Sequence, residues 1–188
     1  MNTKAFLDVF YSSNQLTLLN HLILNSDKEF YEAKLIKLTK LSAGSVNKIL
    51  NSLIDSGILI KRQMGPLKVL SINTDNIYVR EYKAFLNVTV LQPIIEELKQ
   101  YSDKIVLFGS FSKGTNIEGS DIDLYITSYD EDKIRSIVEN YSETEKVLGL
   151  KIQAVIDNPL QTTEDKTFLM QVAMGKILWE REGIEDED

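Results

Sequence analysis

Cysteine is absent from the 188 residues of the sequence, and histidine occurs once, at His21. The first absence excludes disulfides and zinc sites built on thiolates, and the second excludes any site that needs two imidazole rings. No apolar run approaches the roughly 18 residues of a membrane-spanning helix, and no basic segment followed by an apolar run suggests a signal peptide. These absences predict a cytoplasmic protein with no membrane partner.

The balance of charge changes along the chain. The net charge is −7, yet residues 1–75 hold nine lysines and arginines against six acidic residues. This excess of three positive charges leaves −10 for the remainder, part of it in the ending "EGIEDED". Such an asymmetry favours two domains with different partners, and we interpret residues 183–188 as a solvated acidic tail.

The first 75 residues predict three helices followed by a hairpin. Apolar residues at helical spacing predict helices at residues 16–24, around His21, and at residues 31–38. A third helix is expected between Ser42, a good N-cap, and Gly57, which is free to adopt the positive φ of a helix end. Two short apolar strands then flank "KRQMGP", which is typical of a hairpin with a Gly-Pro tip.

This order of elements, over about residues 12–74, resembles a winged helix-turn-helix, and "LSAGSVNKILNSLIDSGILIKR" is similar to that family's recognition helix and first wing strand. The resemblance implies double-stranded DNA as a partner. The residues that it implies at the major groove are Ser42, Ser45, Asn47 and Lys48, and those at phosphates near the wing are Lys61, Arg62 and Lys68. Because the positive excess is small, a protein-interaction or dimerisation module is the alternative, and the oligomeric state stays open with a dimer as one candidate.

The second half of the chain alternates between strands and helices. Residues 76–100 have a helical pattern and are interpreted as a connector, with Pro93 expected to break or kink the helix. Short apolar strands at 104–108, 122–126 and 150–156 and helices at 131–141 and 163–174 predict a small α/β domain with a mixed sheet. The expected fold is therefore a two-domain α+β protein. Its predicted divisions are a winged helix domain (1–75), a connector (76–100), the α/β domain (101–182) and the acidic tail (183–188).

The segment "GSFSKGTNIEGSDIDLYI" follows the apolar strand "KIVLF". A strand that runs into Gly109 and Ser110 at a helix start makes an anion site, because glycine lets a phosphate approach the backbone and the helix presents free N–H groups. Asp121 and Asp123 lie one residue apart, so a strand directs both to one face. Two adjacent carboxylates are costly unless a cation lies between them, and their oxygens suit Mg²⁺. The segment therefore predicts a nucleoside triphosphate bound together with Mg²⁺.

A Gly-Ser pair, about ten residues and then Asp-apolar-Asp resembles the nucleotidyltransferase superfamily that includes DNA polymerase beta, and most closely its minimal prokaryotic members. The resemblance implies catalytic and metal-binding roles for Asp121 and Asp123, with Mg²⁺ or alternatively Mn²⁺ as the metal. The nucleotide-binding residues that it implies are Gly109, Ser110 and Lys113. The implied activity is transfer of a nucleoside monophosphate to a hydroxyl group of a protein, a nucleic acid or an antibiotic.

The third carboxylate of that family is not evident in the sequence. In the family it lies on a later strand, where it helps to bind the catalytic metal and to deprotonate the acceptor hydroxyl. Strand parity in "KIQAVID" places Gln153 at the expected position, and Asp157 lies on the same face about 13 Å further along at roughly 3.3 Å per residue. Glutamine cannot act as a base, so either Asp157 serves through a shifted register or the third carboxylate is missing.

Two functions follow from these patterns. The first is an enzyme that transfers a nucleoside monophosphate from a nucleoside triphosphate to a hydroxyl acceptor, coupled to a DNA-binding module. The second is a transcriptional regulator with weak or no turnover, in which the nucleotidyltransferase-like domain senses a nucleotide or binds a partner. Gln153 favours the second function, whereas Asp121 and Asp123 favour retained chemistry or metal binding.

Overall fold

The N-terminal half of the chain forms a helical unit that carries a small sheet. The computed structural model describes residues 13–39, 41–144, 151–158 and 165–181, and the predicted acidic tail lies outside them. Its compact units are residues 1–89 and 90–188. The first unit contains α1 (Asn14–Leu24), β1 (Glu29–Phe30), α2 (Glu32–Thr39), α3 (Ala43–Asp55), β2 (Leu59–Met64), β3 (Leu67–Ile72) and the first part of α4 (Ile77–Leu98).

Hydrogen bonds to side chains fix where two of these helices begin. The Ser13 hydroxyl accepts a hydrogen bond from the amide of Leu16 at the start of α1 (3.2 Å). The Ser42 hydroxyl accepts one from the amide of Ser45 at the start of α3 (3.2 Å), so the N-cap read from the sequence is confirmed. Gly57 follows α3 with a φ of 71°, which is the left-handed conformation that glycine adopts most readily.

The strands of this unit form an antiparallel sheet in the order β1-β3-β2. The predicted hairpin is present, with Leu59 opposite Ile72 and Met64 opposite Leu67. Strand β1 was not predicted, because two residues are too short to show an alternating pattern. One cluster of buried apolar side chains draws on the helices and strands of the unit alike and consists of Leu18, Leu22, Ile23, Phe30, Leu35, Val46, Leu50, Leu53, Leu59, Leu70, Ile72, Val79 and Leu86.

The long helix α4 contains Pro93 in its interior, so of the two expected effects, a break or a kink, the break does not occur. Proline removes one backbone hydrogen bond and crowds the preceding turn. Leu91, Ile94 and Leu98, on either side of it, are almost completely buried. Burying a side chain of this size contributes about 1.5–3 kcal/mol, so the buried residues together offset the loss of one hydrogen bond. The division between the two units lies inside this helix, after Thr89.

The second unit is built around a four-stranded sheet. The sheet is mixed, as the sequence pattern predicted, although that pattern identified three of its strands. Its strand order is β6-β5-β4-β7, with β5 and β6 parallel and the other neighbours antiparallel. Its elements after α4 are β4 (Lys104–Phe108), α5 (Gly109–Lys113), β5 (Ile122–Thr127), α6 (Glu131–Thr144), β6 (Ile152–Asp157), α7 (Lys166–Ala173) and β7 (Lys176–Glu180).

The two faces of this sheet have different surroundings. Ile122, Leu124 and Ile126 of β5 are completely buried, so their face belongs to the core. The alternate residues of β4 and β5 share the opposite face, because residues directly paired in neighbouring strands point the same way. On that face, the ring of Phe168 in α7 packs edge-on against the rings of Phe108 (5.6 Å) and Tyr125 (5.9 Å). This half-covered face carries the polar residues described next.

None of the helices within the described ranges combines the length and the hydropathy needed to cross a membrane.

Candidate functional site

Asp121 and Asp123 lie together at one end of the half-covered sheet face. Asp123 is the second residue of β5 and is paired with Phe108 of β4, while Asp121 comes directly before the strand. The buried Ile122 between them points into the core, so the aspartates point to the opposite face. This is the arrangement that their spacing predicts.

The two carboxylates affect each other's charge. Burial, and then the negative charge of Asp121, raise the pKa of Asp123 above its ordinary value. Both causes disfavour the charged form of the carboxyl group. A divalent cation between the two side chains would reverse this effect, because each carboxylate would then face a positive charge.

Gly109 fits its position for a reason that the sequence did not reveal. Its φ is +67°, and a Cβ atom built on it would lie 2.0 Å from Oδ2 and 2.9 Å from Cγ of Asp123. Non-bonded heavy atoms are most stable at about 3.5–4.0 Å, so any side chain at position 109 would displace the Asp123 carboxylate. The glycine was expected to give a phosphate access to the backbone. The lack of a side chain at this position also leaves the space that the Asp123 carboxylate occupies.

Ser110 and Lys113 belong to α5, the short helix that follows Gly109. Ser110 is half-buried in the first turn and Lys113 is exposed in the last residue. The Ser112 hydroxyl donates to the carbonyl of Gly109 (2.9 Å), and Gly114 ends the helix with a φ of 66°. The turn that links β4 to the helix is therefore held by its own hydrogen bonds, beside the two aspartates.

Gln153 completes the polar cluster. It is directly opposite Asp123 in the parallel pairing of β5 with β6, and its Nε2 donates a hydrogen bond to Oδ2 of Asp121. The side chain thus occupies the place predicted from strand parity. Its amide group contacts Asp121 directly, which the sequence pattern did not predict.

Asp157 does not join the cluster. It is paired with Thr127, which is four residues beyond Asp123 along β5, and it is buried. The hydroxyl of Tyr125 donates to Oδ2 of Asp157 (3.1 Å), and burial followed by this contact raises the pKa of Tyr125 to about 12. Among the residues that the structure describes, no three histidine, cysteine, aspartate or glutamate side chains are grouped so as to hold a metal ion.

A groove on the same sheet face lies beyond the ring of Phe168. Its volume is about 490 Å³, and its lining includes Tyr125 and Val106 from the sheet and Leu169 and Val172 from α7. This volume is within the range of about 300–1,000 Å³ that is typical of small-molecule sites. The groove shares the sheet face with the aspartates, but its lining extends to Lys104 and Thr127 at the other end of the strands and includes neither aspartate.

The seven residues predicted to bind DNA lie on α3 with its N-cap and on the two strands of the hairpin. All seven are exposed, and Asn47, Lys61 and Lys68 line a shallow pocket between α3 and the hairpin. Arg62 is on the other face of the hairpin, since neighbouring residues of a strand alternate. Ser42 caps α3 and shares a hydrogen bond with the hydroxyl of Ser45 (2.9 Å). Lys48 is exposed on α3.

Two glutamates that the sequence analysis did not consider contact this group. Glu32 accepts a hydrogen bond from Nδ2 of Asn47, and Glu29 forms an ion pair with Arg62. Both glutamates come from the part of the chain around β1, the strand that the pattern missed. No signal within the α3 segment could have revealed these contacts, because the partners are 15 and 33 residues apart in sequence.

The comparisons with known proteins concern the second unit. Residues 91–177 match the model of the family described as "Nucleotidyltransferase domain", so this part of the chain is nucleotidyltransferase-like, as its motif predicted. No curated protein matches the chain.

Two solved structures resemble part of the fold. One is a mutant of the toxin-antitoxin MntA-HpeT, with 19% identity, a TM-score of 0.38 and coverage of 50% of this chain and 74% of that chain. The other is a toxin-antitoxin with AMP-PNP, with 22% identity, a TM-score of 0.38 and coverage of 51% and 75%.

Proposed function

We propose that the second unit binds a nucleoside triphosphate with Mg²⁺, or with Mn²⁺ in its place, and transfers the nucleoside monophosphate to a hydroxyl acceptor. The observation that carries this proposal is the pair Asp121 and Asp123 on one sheet face, beside the helix that begins at Gly109. The family match over residues 91–177 supports the same reaction class.

The residues of the cluster fit a divalent metal ion. Asp121 and Asp123 offer hard oxygen atoms, which Mg²⁺ and Mn²⁺ prefer, and the raised pKa of Asp123 indicates a carboxylate that lacks a compensating positive charge. When bound, the metal ion neutralises phosphate charge and polarises the reacting phosphoryl group. Asp121 and Asp123 would hold it.

The start of α5 has the features needed to bind phosphate. The first N–H groups of a helix have no partner within the helix, and the hydroxyl of Ser110 lies in the same turn. Lys113 adds a positive charge one turn later. Together these groups would hold the triphosphate beside the two aspartates. Positioning of this kind is the main contribution of a protein to phosphoryl transfer.

Gln153 favours a second function, that of a regulator with weak or no turnover. Its amide cannot accept a proton from the acceptor hydroxyl, and general-base help is typically worth about 10²–10⁴ in rate. The chain would then bind Mg²⁺ and nucleotide but turn over slowly, as expected of a regulator that senses a nucleotide or binds a partner. The contact of Gln153 with Asp121 is the observation that favours this alternative.

A transfer assay tests the main proposal. The protein is incubated with each labelled nucleoside triphosphate, Mg²⁺ or Mn²⁺ and candidate hydroxyl acceptors, and pyrophosphate release is measured. We expect metal-dependent release that Asp123→Asn reduces, because this change removes a charged metal ligand. Asp132→Asn, at an exposed position in the first turn of α6, is the matched control and should have no effect. Metal-dependent binding of nucleotide without release would favour the regulator, and absence of both would refute nucleotide use.

We also propose that the first unit is a winged helix-turn-helix that binds double-stranded DNA. The order α1-β1-α2-α3-β2-β3 and the exposed lysines Lys48, Lys61 and Lys68 support this proposal. Asn47 and Arg62 would have to exchange their glutamate partners for DNA. This exchange would cost little free energy, because an exposed ion pair typically contributes only about 0–1 kcal/mol.

A gel shift across salt concentrations tests the DNA proposal. Duplex affinity should fall steeply with salt because counterions are released, and Lys61→Glu with Lys68→Glu should weaken binding to all sequences alike. Lys104→Glu, in the second unit, is the control substitution. No retardation of random duplexes at low salt would instead favour a protein-interaction module.

A further inference from the structure

A pocket in the first unit combines a positively charged rim with an apolar floor. It lies between α1, β1 and α2, and its lining contains none of the residues predicted to bind nucleotide or DNA. Its volume is about 220 Å³, and its lining includes His21, Lys28 and Lys34. Phe30, Leu35 and Leu38 supply the apolar part of the lining.

The rim carries a local excess of positive charge. Lys28 and Lys34 line the pocket together with His21, and burial, followed by the charges of Lys34 and Lys28, lowers the pKa of His21. Glu29 is the acidic member of the lining, and its carboxylate is paired with Arg62. The charge of Glu29 is therefore largely compensated from outside the pocket, and the lining itself contains two lysines against this one glutamate.

The floor is suited to a ring rather than to water alone. Phe30 and Leu35 are almost completely buried, while Leu38 is half exposed at the edge. The imidazole of His21 packs edge-on against the ring of Phe30, with centroids 6.0 Å apart and an angle of 68°. A further flat apolar group can extend this stack, because edge-to-face and offset contacts between rings are favourable.

We propose that this pocket binds a small organic anion, namely a carboxylate carried on a single apolar ring. The carboxylate would lie between Lys28 and Lys34, where ionised donors make strong hydrogen bonds, and the ring would cover Phe30, Leu35 and Leu38. The pocket is smaller than the roughly 300–1,000 Å³ of drug-sized sites, which limits the ligand to about one ring. Binding involves no covalent step and is independent of nucleotide chemistry in the second unit.

The single histidine of the chain makes a direct test practicable. Because His21 is the only histidine and lines the pocket, its ring-proton signal in an NMR spectrum of the full chain reports ligand binding there without assignment of other signals. Benzoate is the probe, benzyl alcohol is its uncharged counterpart, and inorganic phosphate is an anion without a ring. We expect benzoate to shift the His21 signal saturably, and the other two to shift it only at much higher concentration.

Substitutions of single lysines test which side chains contribute to the affinity for benzoate. Lys34→Met and Lys28→Met should each weaken benzoate binding by about fivefold or more, which corresponds to roughly 1 kcal/mol for one charged hydrogen bond. Lys37→Met removes an exposed lysine of the same helix that does not line the pocket and should change affinity by less than about twofold. Melting temperatures of the three variants check that each one folds.

Three results would overturn the proposal. Equal binding of benzyl alcohol would show that the lysines do not select an anion, and equal binding of phosphate would show that the apolar floor is not used. A benzoate shift that does not saturate, or that Lys37→Met reduces as much as Lys34→Met, would show only general attraction to the surface charge.

Discussion

Substitution of Gly109 by alanine tests whether the backbone of this residue sets the position of Asp123. The added Cβ would lie 2.0 Å from Oδ2 of Asp123, so the carboxylate must turn away from the face it shares with Asp121. The residue must also keep a φ of +67°, which costs an L-residue about 1–2 kcal/mol. The substitution therefore combines a general backbone cost with the loss of one metal ligand.

Gly119→Ala separates these two effects. Gly119 has a φ of +80°, and a Cβ built on it meets no atom within 4 Å. It should therefore lose about the same 1–2 kcal/mol of unfolding free energy without moving a carboxylate. The unfolding free energies come from urea denaturation, and Mg²⁺-dependent binding of nucleoside triphosphate comes from calorimetry.

We expect the two variants to be destabilised by similar amounts but to differ in binding. Gly109→Ala should weaken Mg²⁺-dependent nucleotide binding by at least about tenfold, equivalent to ~1.4 kcal/mol, whereas Gly119→Ala should bind nearly as well as the unchanged protein. If both variants bind nucleotide equally, the contact between Gly109 and Asp123 has no role in the site, and the assignment of Asp123 as a metal ligand fails with it.

Two further predictions concern the same face of the sheet. Gln153→Glu should raise nucleotidyl transfer, because it restores a carboxylate beside Asp121, whereas Asp157→Asn should leave transfer unchanged; loss of robust activity in the Asp157 variant would show that this residue is the third carboxylate. Asp123→Asn should stabilise the metal-free protein near neutral pH, since the raised pKa of Asp123 means that its ionised form disfavours folding. Urea denaturation should show this gain shrinking as the pH falls through the raised pKa and vanishing below about 3.9, where the carboxyl is protonated in both states; a gain that persists there would contradict the assigned cause.

Local signals in the sequence were sufficient for the parts of the fold that depend on neighbouring residues. Ser42 marked the start of α3 because a capping hydroxyl bonds to amides only a few residues ahead. The spacing of Asp121 and Asp123 fixed their common face because strand parity is a local property. The same local reasoning did not show that the helix continues through Pro93. The cost of a proline depends on neighbouring residues, but the burial that outweighs this cost depends on the folded unit.

Contacts between distant segments could not be predicted from the sequence. The collision that a side chain at position 109 would make with Asp123 depends on the antiparallel register of β4 and β5, which no single segment specifies. The partners of Asn47 and Arg62 are glutamates near β1, far away in sequence. The pocket around His21 depends on the packing of three elements, so an isolated histidine in an apolar helix gave no sign of it.

The parallel pairing of β5 and β6 has a consequence for how this protein can change by mutation. A residue inserted within β6 ahead of Gln153 would turn the Gln153 side chain to the core face. A change of length at that point would therefore move the side chain away from Asp123, but a change of residue type at position 153 needs no change of backbone. Codons for glutamine and glutamate differ at one base, so a carboxylate opposite Asp123 is a single nucleotide substitution away from the present sequence.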